Sequence, residues 1–420
     1  MEKQTATMYE LGELLDYEQP TPYIVESTDY DEKYDIPVLT AGKSFILGYT
    51  NEKTGVYDKL PVIIFDDFTT ASRYVSFPFK VKSSAMKILT ANTDIVLPKY
   101  IYYRMQIIQF DHSTHKRYWI QQYSKIKVAV PPLEEQQRIV ARIEELFSQL
   151  DDAEATLQKT KAQLALYRQA VLKTAFEGNL TVAWRDQHPD CSVEDDYKSI
   201  AIDNPVYKDI AGDENELPIA LPDSWLRLRM GDVFRVEVGA TPSRGVSEYW
   251  NGNLNWVSSG EVQFNRIYET KERITEEGLV HASTNIQPAG TIMLAMIGEG
   301  KTRGQAAILK VPAAHNQNTA AIQVSTTPCN PMFIFYYFLL NYENTRRVGS
   351  GNNQKALNKE RVRALRFPFP SFLEQREIVS EIESRLSVYD SIMENVEKVQ
   401  QQMKALKQSI LKEAFEGNTK

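Results

Sequence analysis

Cysteine is scarce in this chain of 420 residues, which contains only Cys191 and Cys329. Two cysteines support neither a disulfide framework nor a cysteine-based zinc site, and such usage is typical of a reducing cytoplasm. The five histidines are scattered. His112 and His115 alone are close together, and the basic residues beside them would repel a metal ion. The sequence therefore predicts no bound metal.

Long apolar runs are missing as well. The longest, at residues 332–340, is too short to cross a bilayer. The first residues are acidic and polar, unlike a secretory leader. The hydrophobic fraction of 42% and the charged fraction of 25% are ordinary for a soluble globular protein. We therefore expect a cytoplasmic protein of two to three domains.

No complete catalytic motif is present. The chain contains no Asn-Pro-Pro-aromatic methyltransferase motif, no glycine-rich dinucleotide fingerprint and no carboxylate set typical of a nuclease. Residues 295–302 approximate a phosphate-binding loop, with Ala295 in place of the first glycine. Turn and strand residues follow where such a loop needs a helix. We interpret the segment as a glycine-rich hairpin that presents Lys301, Arg303 and Gln305 to a groove.

A second motif, at residues 62–67, resembles the end of a metal-binding strand. It is an apolar run that closes on Asp66 and Asp67. A hard cation needs several oxygen ligands, and no second acidic cluster is placed to complete such a site. We interpret the two aspartates as residues that shape a turn.

The strongest positive signal is a repeat: segment 131–179 recurs without gaps at 370–418, an offset of 239 residues. Both copies begin with proline, carry Glu-Gln near the start (Glu135-Gln136 and Glu374-Gln375) and end on Ala-Phe-Glu-Gly-Asn. The period is far too long for a solenoid. It indicates two halves, each a globular block followed by one long helix.

Apolar residues in both copies follow a seven-residue period, which predicts coiled-coil helices of about 60 Å. A second, mixed row is expected three residues later, beginning at Leu146 and Arg385. Gly178 and Gly417 stand where C-terminal caps are expected. The main coiled-coil row comprises Ile143, Leu150, Leu157, Leu164 and Val171 in the first copy, and Ile382, Tyr389, Val396, Met403 and Ile410 in the second.

The order block, helix, block, helix predicts that the two helices pair with each other in antiparallel fashion, with a pseudo-two-fold axis across the pair. Each block shows short β-branched and aromatic runs between turn residues, then an aromatic helix candidate, at 100–110 and 333–340. The predicted fold class is α+β, with mixed sheets and helices. The predicted boundaries are block one at 1–130, spacer helix one at 131–180, an acidic connector at 181–222, block two at 223–369 and spacer helix two at 370–420.

Charge is distributed unevenly, although the net charge is −7. Residues 73–130 contain ten basic and two acidic residues, and residues 301–369 repeat those numbers. Residues 1–37 and 181–222 are strongly acidic. Basic charge at the same place in each block is a candidate footprint for a polyanion.

These stretches are rich in side chains that can form bidentate hydrogen bonds to base edges or bind phosphates. The alternative for each is a polar loop that caps turns. The candidates in block one are Thr69, Thr70, Arg73, Lys80, Lys82, Lys87, Lys116 and Arg117. Those in block two are Arg244, Lys301, Arg303, Gln305, Asn316, Gln317, Arg346, Arg347, Asn352, Asn353, Gln354 and Lys355.

The repeat and the motifs around it resemble the specificity subunit of type I restriction–modification systems over nearly the whole chain. The similarity rests on the sequences after Pro131 and Pro370 and on the shared helix endings. Block two adds Leu221-Pro-Asp-Ser-Trp225 and Gly239-Ala-Thr-Pro-Ser, and block one adds Ile64-Phe-Asp-Asp-Phe-Thr. The usual Leu-Pro-x-x-Trp opening is absent from block one, so we expect this block to belong to a shorter class of domain.

The resemblance implies two target-recognition domains on two antiparallel spacer helices, and a non-catalytic role in reading a bipartite double-stranded DNA site. It implies a complex with two methyltransferase subunits, and with restriction subunits for cleavage. S-adenosylmethionine, ATP and Mg²⁺ would be bound by those partners and not by this chain. Two alternatives stay open: a coiled-coil scaffold whose end domains bind proteins, and a nucleotide hydrolase that uses Lys301.

Overall fold

The computed structural model describes residues 6–42, 44–112, 117–200, 219–298, 300–347 and 356–416. The chain divides into two compact units. The first comprises Met1–Lys159 and Asn395–Lys420, and the second comprises Thr160–Glu394. Each unit contains one globular block and parts of both long helices.

The first block contains short strands with few helices between them. Its elements are β1 (Thr7–Glu10), α1 (Leu11–Leu14), β2 (Leu15–Glu18), β3 (Ile36–Leu39), β4 (Ile46–Thr50), β5 (Val62–Asp66), β6 (Ser72–Val75), β7 (Lys80–Val81), β8 (Met86–Ala91), α2 (Pro98–Met105) and β9 (Lys127–Val130), followed by the long helix α3 (Leu133–Phe176).

These strands form an antiparallel sheet in the order β2-β8-β5-β6 and a mixed sheet in the order β4-β3-β7. β1 pairs with β9, so the first and last strands of the block meet beside the start of α3. The apolar residues of β5 and β8 pack with Tyr100 and Ile101 of α2 in one core. The predicted aromatic helix is therefore confirmed and lies on a sheet, although it ends at Met105 and not near residue 110.

The second unit repeats this plan with more elements. They are α4 (Val182–Gln187), α5 (Val193–Lys198), β10 (Leu226–Arg229), α6 (Met230–Val233), β11 (Val236–Val238), β12 (Trp250–Val257), β13 (Arg266–Ile267), β14 (Glu272–Ile274), α7 (Glu276–His281), β15 (Ile292–Ala295), β16 (Ala306–Leu309), β17 (Ala314–His315), β18 (Thr319–Ile322), α8 (Pro331–Leu340), α9 (Tyr342–Arg347), α10 (Lys359–Ala364), β19 (Arg366–Phe369) and α11 (Phe372–Glu416).

A sheet in the order β11-β18-β15-β16-β13 carries the core of this block, and β14-β12-β17 forms a second sheet. Both sheets are mixed, because β13 and β16 are parallel and so are β12 and β17. β10 pairs with β19, as β1 pairs with β9 in the first block. α8 is buried almost all round and shares a core with the end of α3, where the rings of Phe176 and Phe333 lie 4.9 Å apart.

The long helices are continuous and antiparallel in both units. In the first unit, Nζ of Lys407 lies 2.7 Å from Oδ1 of Asp151, and Leu411 packs in the core that contains Ile143. In the second unit, the guanidinium of Arg168 stacks over the ring of Tyr389, and Ile382 shares a core with Phe176. Residue numbers therefore fall along α11 as they rise along α3, which confirms the predicted direction of pairing.

The main predicted coiled-coil row is confirmed, because every member is buried or half-buried. The second row is wrong in the second copy, whereas Leu146, Thr160 and Thr174 of the first copy are half-buried. Ile392, Val399 and Leu406 are 39%, 40% and 48% exposed. The inner stripe lies four residues after the main row, at positions such as Leu386, Met393, Gln400, Lys407 and Ala414. Spacings of three and four both occur in a heptad, so the sequence period does not distinguish them.

The C-terminal cap of α3 is also confirmed. Gly178 has φ +72, and a Cβ there would lie 2.4 Å from Cγ of Pro222. The N–H groups of Gly178 and Asn179 donate to the carbonyls of Ala175 and Thr174, which closes the helix. The corresponding Gly417 lies outside the described residues.

Candidate nucleic-acid interface

Two polar loops leave the same edge of the four-stranded sheet in the first unit. The turn 67–71 connects β5 to β6, and the loop 82–85 enters β8 beside it, where Asp66 pairs with Met86. The N–H of Asp67 donates to the carbonyl of Ala85 at 2.9 Å and joins the loops. Thr69 and Lys82 are exposed on this edge.

Side chains at the tip of the turn hold its shape. Oδ1 of Asp66 accepts the N–H groups of Phe68 and Thr69 at 2.9 and 2.8 Å, which supports its interpretation as a turn residue. Thr70 has φ 56, and its hydroxyl lies 2.9 Å from Nε2 of His112. Phe68 is 45% exposed at the tip and is not among the residues that the sequence indicates. The sequence signal for an exposed aromatic side chain at this tip is its position directly after the two turn aspartates.

Arg117 lies next to this turn. The N–H of its neighbour Tyr118 donates to the carbonyl of Asp67 at 2.9 Å, and the Arg117 side chain is exposed. Arg73 is half-buried on β6 against the phenol of Tyr102. Burial raises the pKa of that phenol and the arginine opposes the rise. The structure therefore brings Thr69, Thr70, Lys82 and Arg117 to one edge and turns Arg73 towards α2.

Lys80 and Lys87 are interior residues, which corrects the prediction that they contact DNA. Nζ of Lys87 lies 3.3 Å from Oδ2 of Asp67 and donates to Oε1 of Gln19. The side chains of Lys87 and Asp67 are 1% and 2% exposed. Asp67 also accepts the N–H of Trp119 at 2.8 Å, so it is a partner in a buried network and not a metal ligand.

Lys80 pairs with Glu52 at 2.9 Å and donates to the carbonyl of Thr54 at 2.7 Å. Burial opposes ionisation of Glu52, but hydrogen bonds from Lys80 and from the N–H groups of Ser27 and Glu26 outweigh it and lower the pKa of the carboxyl. Lys87 thus neutralises a buried acid and Lys80 a half-buried one, and both acids lie far away in the sequence.

In the second unit, three loops leave one edge of the five-stranded sheet. Loop 239–244 follows β11, loop 296–305 joins β15 to β16, and loop 316–318 precedes β18. The N–H of Met296 donates to the carbonyl of Asn318 at 2.9 Å. The hydroxyl of Thr241 donates to Oε1 of Gln317 at 2.5 Å. These contacts join the three loops.

The predicted hairpin is confirmed, because β15 and β16 pair in antiparallel fashion around residues 296–305. Residues after Lys301 continue into β16, so the helix that a phosphate-binding loop needs is not formed there. Lys301 is exposed, and its carbonyl accepts the hydroxyl of Tyr342. This contact places α9 beside the hairpin, with Arg347 exposed and Arg346 half-buried.

Arg303 and Asn316 are largely buried, at 9% and 7% exposed. This corrects the prediction that Arg303 is offered to a groove. Its Nε has no hydrogen-bond partner among the described residues. Oδ1 of Asn316 accepts the N–H of Asn318 at 3.1 Å, so this amide supports the loop from inside. Gln305 is half-buried, which leaves Gln317 as the most accessible amide of the edge.

Arg244 is exposed but already engaged. Both of its terminal nitrogens donate to the carboxylate of Glu272, and its guanidinium stacks 3.9 Å from the ring centroid of Trp250. The hydrogen bond to Glu272 raises the pKa of the guanidinium and, in turn, lowers that of the carboxyl. A phosphate would have to compete with this pair.

His315 lies beneath the same loops. It is 1% exposed, and its Nδ1 lies 2.8 Å from the hydroxyl of Thr319. Burial lowers the pKa of its imidazole to about 4. A Cβ at Gly239 would lie 1.9 Å from the carbonyl oxygen of His315, so only glycine allows loop 239–244 to approach this closely.

Five candidates lie outside the described residues: Lys116, Asn352, Asn353, Gln354 and Lys355. Within the described part of the chain, no group of three or more His, Cys, Asp or Glu residues could hold a metal ion. Among the same residues, no helix has both the length and the apolar character needed to cross a bilayer.

Comparisons with known proteins identify the family of this chain. The family model of the type I restriction modification DNA specificity domain matches residues 3–163 and 222–405. The chain therefore belongs to this family. The two matched segments each contain one globular block and most of a long helix.

Individual relatives match as well. The chain is 32% identical over 405 residues to the type I restriction enzyme EcoR124I/EcoR124II specificity subunit of Escherichia coli, which covers 92% of this chain and 88% of that protein. It is 26% identical over 200 residues to the MjaIX specificity subunit of Methanocaldococcus jannaschii. That match covers 46% of this chain and 44% of the other protein. A solved structure from work on complex assembly of the type I R-M system has a TM-score of 0.66 at 16% identity, with 98% and 97% of the two chains covered.

Proposed function

We propose that this chain is the non-catalytic DNA-specificity subunit of a type I restriction–modification complex, in which each globular block reads one half of a bipartite duplex site. The observation that carries the proposal is the gathering of polar and basic loops at one sheet edge in each unit. The family match and the printed names of the relatives support the same role.

The chemistry of these edges suits nucleic acid. Lysine, arginine and threonine bind phosphates, whereas amide and guanidinium groups discriminate base edges in the major groove. Thr69, Lys82 and Arg117 supply such groups in the first unit. Gln317, Lys301 and Arg347 supply them in the second.

The paired long helices would set the distance between the two half-sites. A rigid link between two readers raises overall affinity through effective concentration, provided that the spacing of the half-sites fits the link. The helices would also carry docking surfaces for two methyltransferase subunits, and restriction subunits would complete the complex. S-adenosylmethionine, ATP and Mg²⁺ would be bound by those subunits, in the cytoplasm.

Neutralising single lysines tests the two edges. Lys301→Ala and Lys82→Ala should weaken binding of the complete methyltransferase complex to its site and reduce the slope of log affinity against log salt by about one. Lys310 and Lys59 are exposed at the opposite ends of β16 and β5 and serve as matched controls. The DNA site is first obtained by mapping methylation in genomic DNA.

Equal effects of the edge and control lysines would contradict the proposed edges. A salt-independent affinity without sequence preference would instead favour the alternative of a scaffold with protein-binding end domains. Loss of a nucleotide hydrolase activity in Lys301→Ala would favour the enzymatic alternative. Because the net charge is −7, we expect the isolated chain to bind DNA weakly and the complex to bind strongly.

A further inference from the structure

Gln136 and Gln375 occupy corresponding places in the two copies of the repeat. Each is the fourth residue of its long helix, α3 or α11. Both side chains are completely buried. A buried amide must find hydrogen-bond partners or lose stability, so their contacts show what these glutamines do.

In the first unit, Oε1 of Gln136 accepts the N–H of Leu97 at 2.8 Å. Its Nε2 donates to the carbonyls of Ile95 and Pro131, at 2.9 and 2.8 Å. Leu97 is the residue before α2, and Pro131 follows the last strand of the block, β9. One side chain thus joins the aromatic helix, the final strand and the long helix.

The second unit repeats these contacts with different residues. Oε1 of Gln375 accepts the N–H of Asn330 at 3.0 Å, and Nε2 donates to the carbonyl of Pro370 at 3.1 Å. Asn330 is the residue before α8, and Pro370 follows β19. The amide also contacts the thiol of Cys329.

The repeated geometry has a simple physical cause. Leu97 and Asn330 each precede a proline and adopt an extended conformation that leaves their N–H groups outside the helical ladder. A neutral amide can satisfy such a donor and a carbonyl at once, which a carboxylate cannot. Most of the contacts go to backbone atoms. The two joints are therefore alike although the blocks share little sequence.

We propose that Gln136 and Gln375 are positioning residues that fix the angle of each block on its long helix and thereby limit the half-site spacings that the subunit accepts. This inference rests on the proposed function. A block is about 30 Å across, so a tilt of roughly 7° at its base displaces the far edge by about 3.4 Å, one base-pair step. A less rigid connection between block and helix should therefore reduce the selectivity for half-site spacing. It should leave base discrimination within each half-site intact.

The test replaces each glutamine by methionine, which has similar length and no amide, in the full chain assembled with its methyltransferase subunits. The measurement is the ratio of methylation at sites with a spacer one base pair longer or shorter to methylation at sites of the normal length. Gln136→Met and Gln375→Met should raise this ratio at least tenfold. Gln137→Met, at an exposed neighbouring position, should leave it unchanged.

Unchanged spacing in folded Gln136→Met and Gln375→Met complexes would overturn the inference and leave the proposed function standing. If the unaltered complex methylates no bipartite site, the proposed function fails and this inference fails with it. Gln136→Asn keeps a neutral amide but is one methylene shorter. If the methionine variant does not fold, the same ratio is measured with Gln136→Asn. A general loss of methylation at every spacing in that folded variant would show a merely structural role and also overturn the inference.

Discussion

Arg185 donates through Nη1 to the buried carboxylate of Glu374 at 2.5 Å. The same oxygen accepts the hydroxyl of Thr181 at 2.7 Å, and the other oxygen accepts Nε1 of Trp225 at 2.9 Å. The side chain of Glu374 is 3% exposed. One carboxylate therefore connects the segment after α3, the approach to β10 and the first turn of α11.

This cluster changes the interpretation of the acidic connector. The sequence predicted an acidic connector at residues 181–222 and no structure within it. Its first part instead forms α4 and α5, and the carboxylate of Asp196 accepts the N–H of Phe372 at 2.7 Å. The acids of this segment are thus partly structural.

Glu374→Gln should lower the stability of the second unit by about 1.5–3 kcal/mol. It removes the negative charge of the carboxylate that accepts hydrogen bonds from Arg185 and Trp225. Hydrogen exchange in peptides that cover Thr181 and Trp225 measures this loss. The repeat provides the control: Glu135, the counterpart of Glu374, pairs with the exposed Arg138. Glu135→Gln should cost at most about 1 kcal/mol. Equal effects in the two copies would contradict the role of the cluster.

Lys87→Met should destabilise the first unit by about 3–5 kcal/mol, because it leaves Asp67 buried without its counter-charge. Thermal unfolding of the chain measures this change. Lys82→Met is the control, since Lys82 is exposed and should change stability by less than about 0.5 kcal/mol. A stable Lys87→Met chain with weakened DNA binding would reverse our assignment of this lysine to the interior.

The contrast between these two lysines shows what can be predicted from the sequence. The repeat predicted both long helices and the cap at Gly178, because these depend on local periodicity and spacing. The order of blocks and helices predicted the direction of their pairing. The polar loops were also visible as turn-rich, basic segments. Partners distant in the sequence were not visible. Lys87 meets Gln19 and Asp67, and Lys80 meets Glu52, only once the sheets have formed. A basic run therefore overstates the charge on the surface.

Met403→Ala should cost about 2–5 kcal/mol, because Met403 belongs to the main row of α11 and is 8% exposed. Leu406→Ala should cost less than about 1 kcal/mol, since Leu406 is 48% exposed. The two substitutions lie one helical turn apart and are compared by circular dichroism during thermal unfolding. If Leu406→Ala lowers the stability more than Met403→Ala, the inner stripe lies three and not four residues after the main row.

His315 should make the second unit sensitive to acid. Its imidazole is buried and neutral in the folded chain, with a pKa lowered to about 4, whereas the unfolded chain has the ordinary pKa near 6.5. Between these values the unfolded chain binds more protons, so stability is complete above about pH 6.5 and falls as the pH decreases towards 4. The difference between these two pKa values corresponds to at most about 3.4 kcal/mol. Urea unfolding at pH 7 and pH 5 measures the loss, which His315→Gln should reduce and His281→Gln, at an exposed position, should not. An identical pH dependence in all three chains would show that His315 is protonated without cost in the folded state.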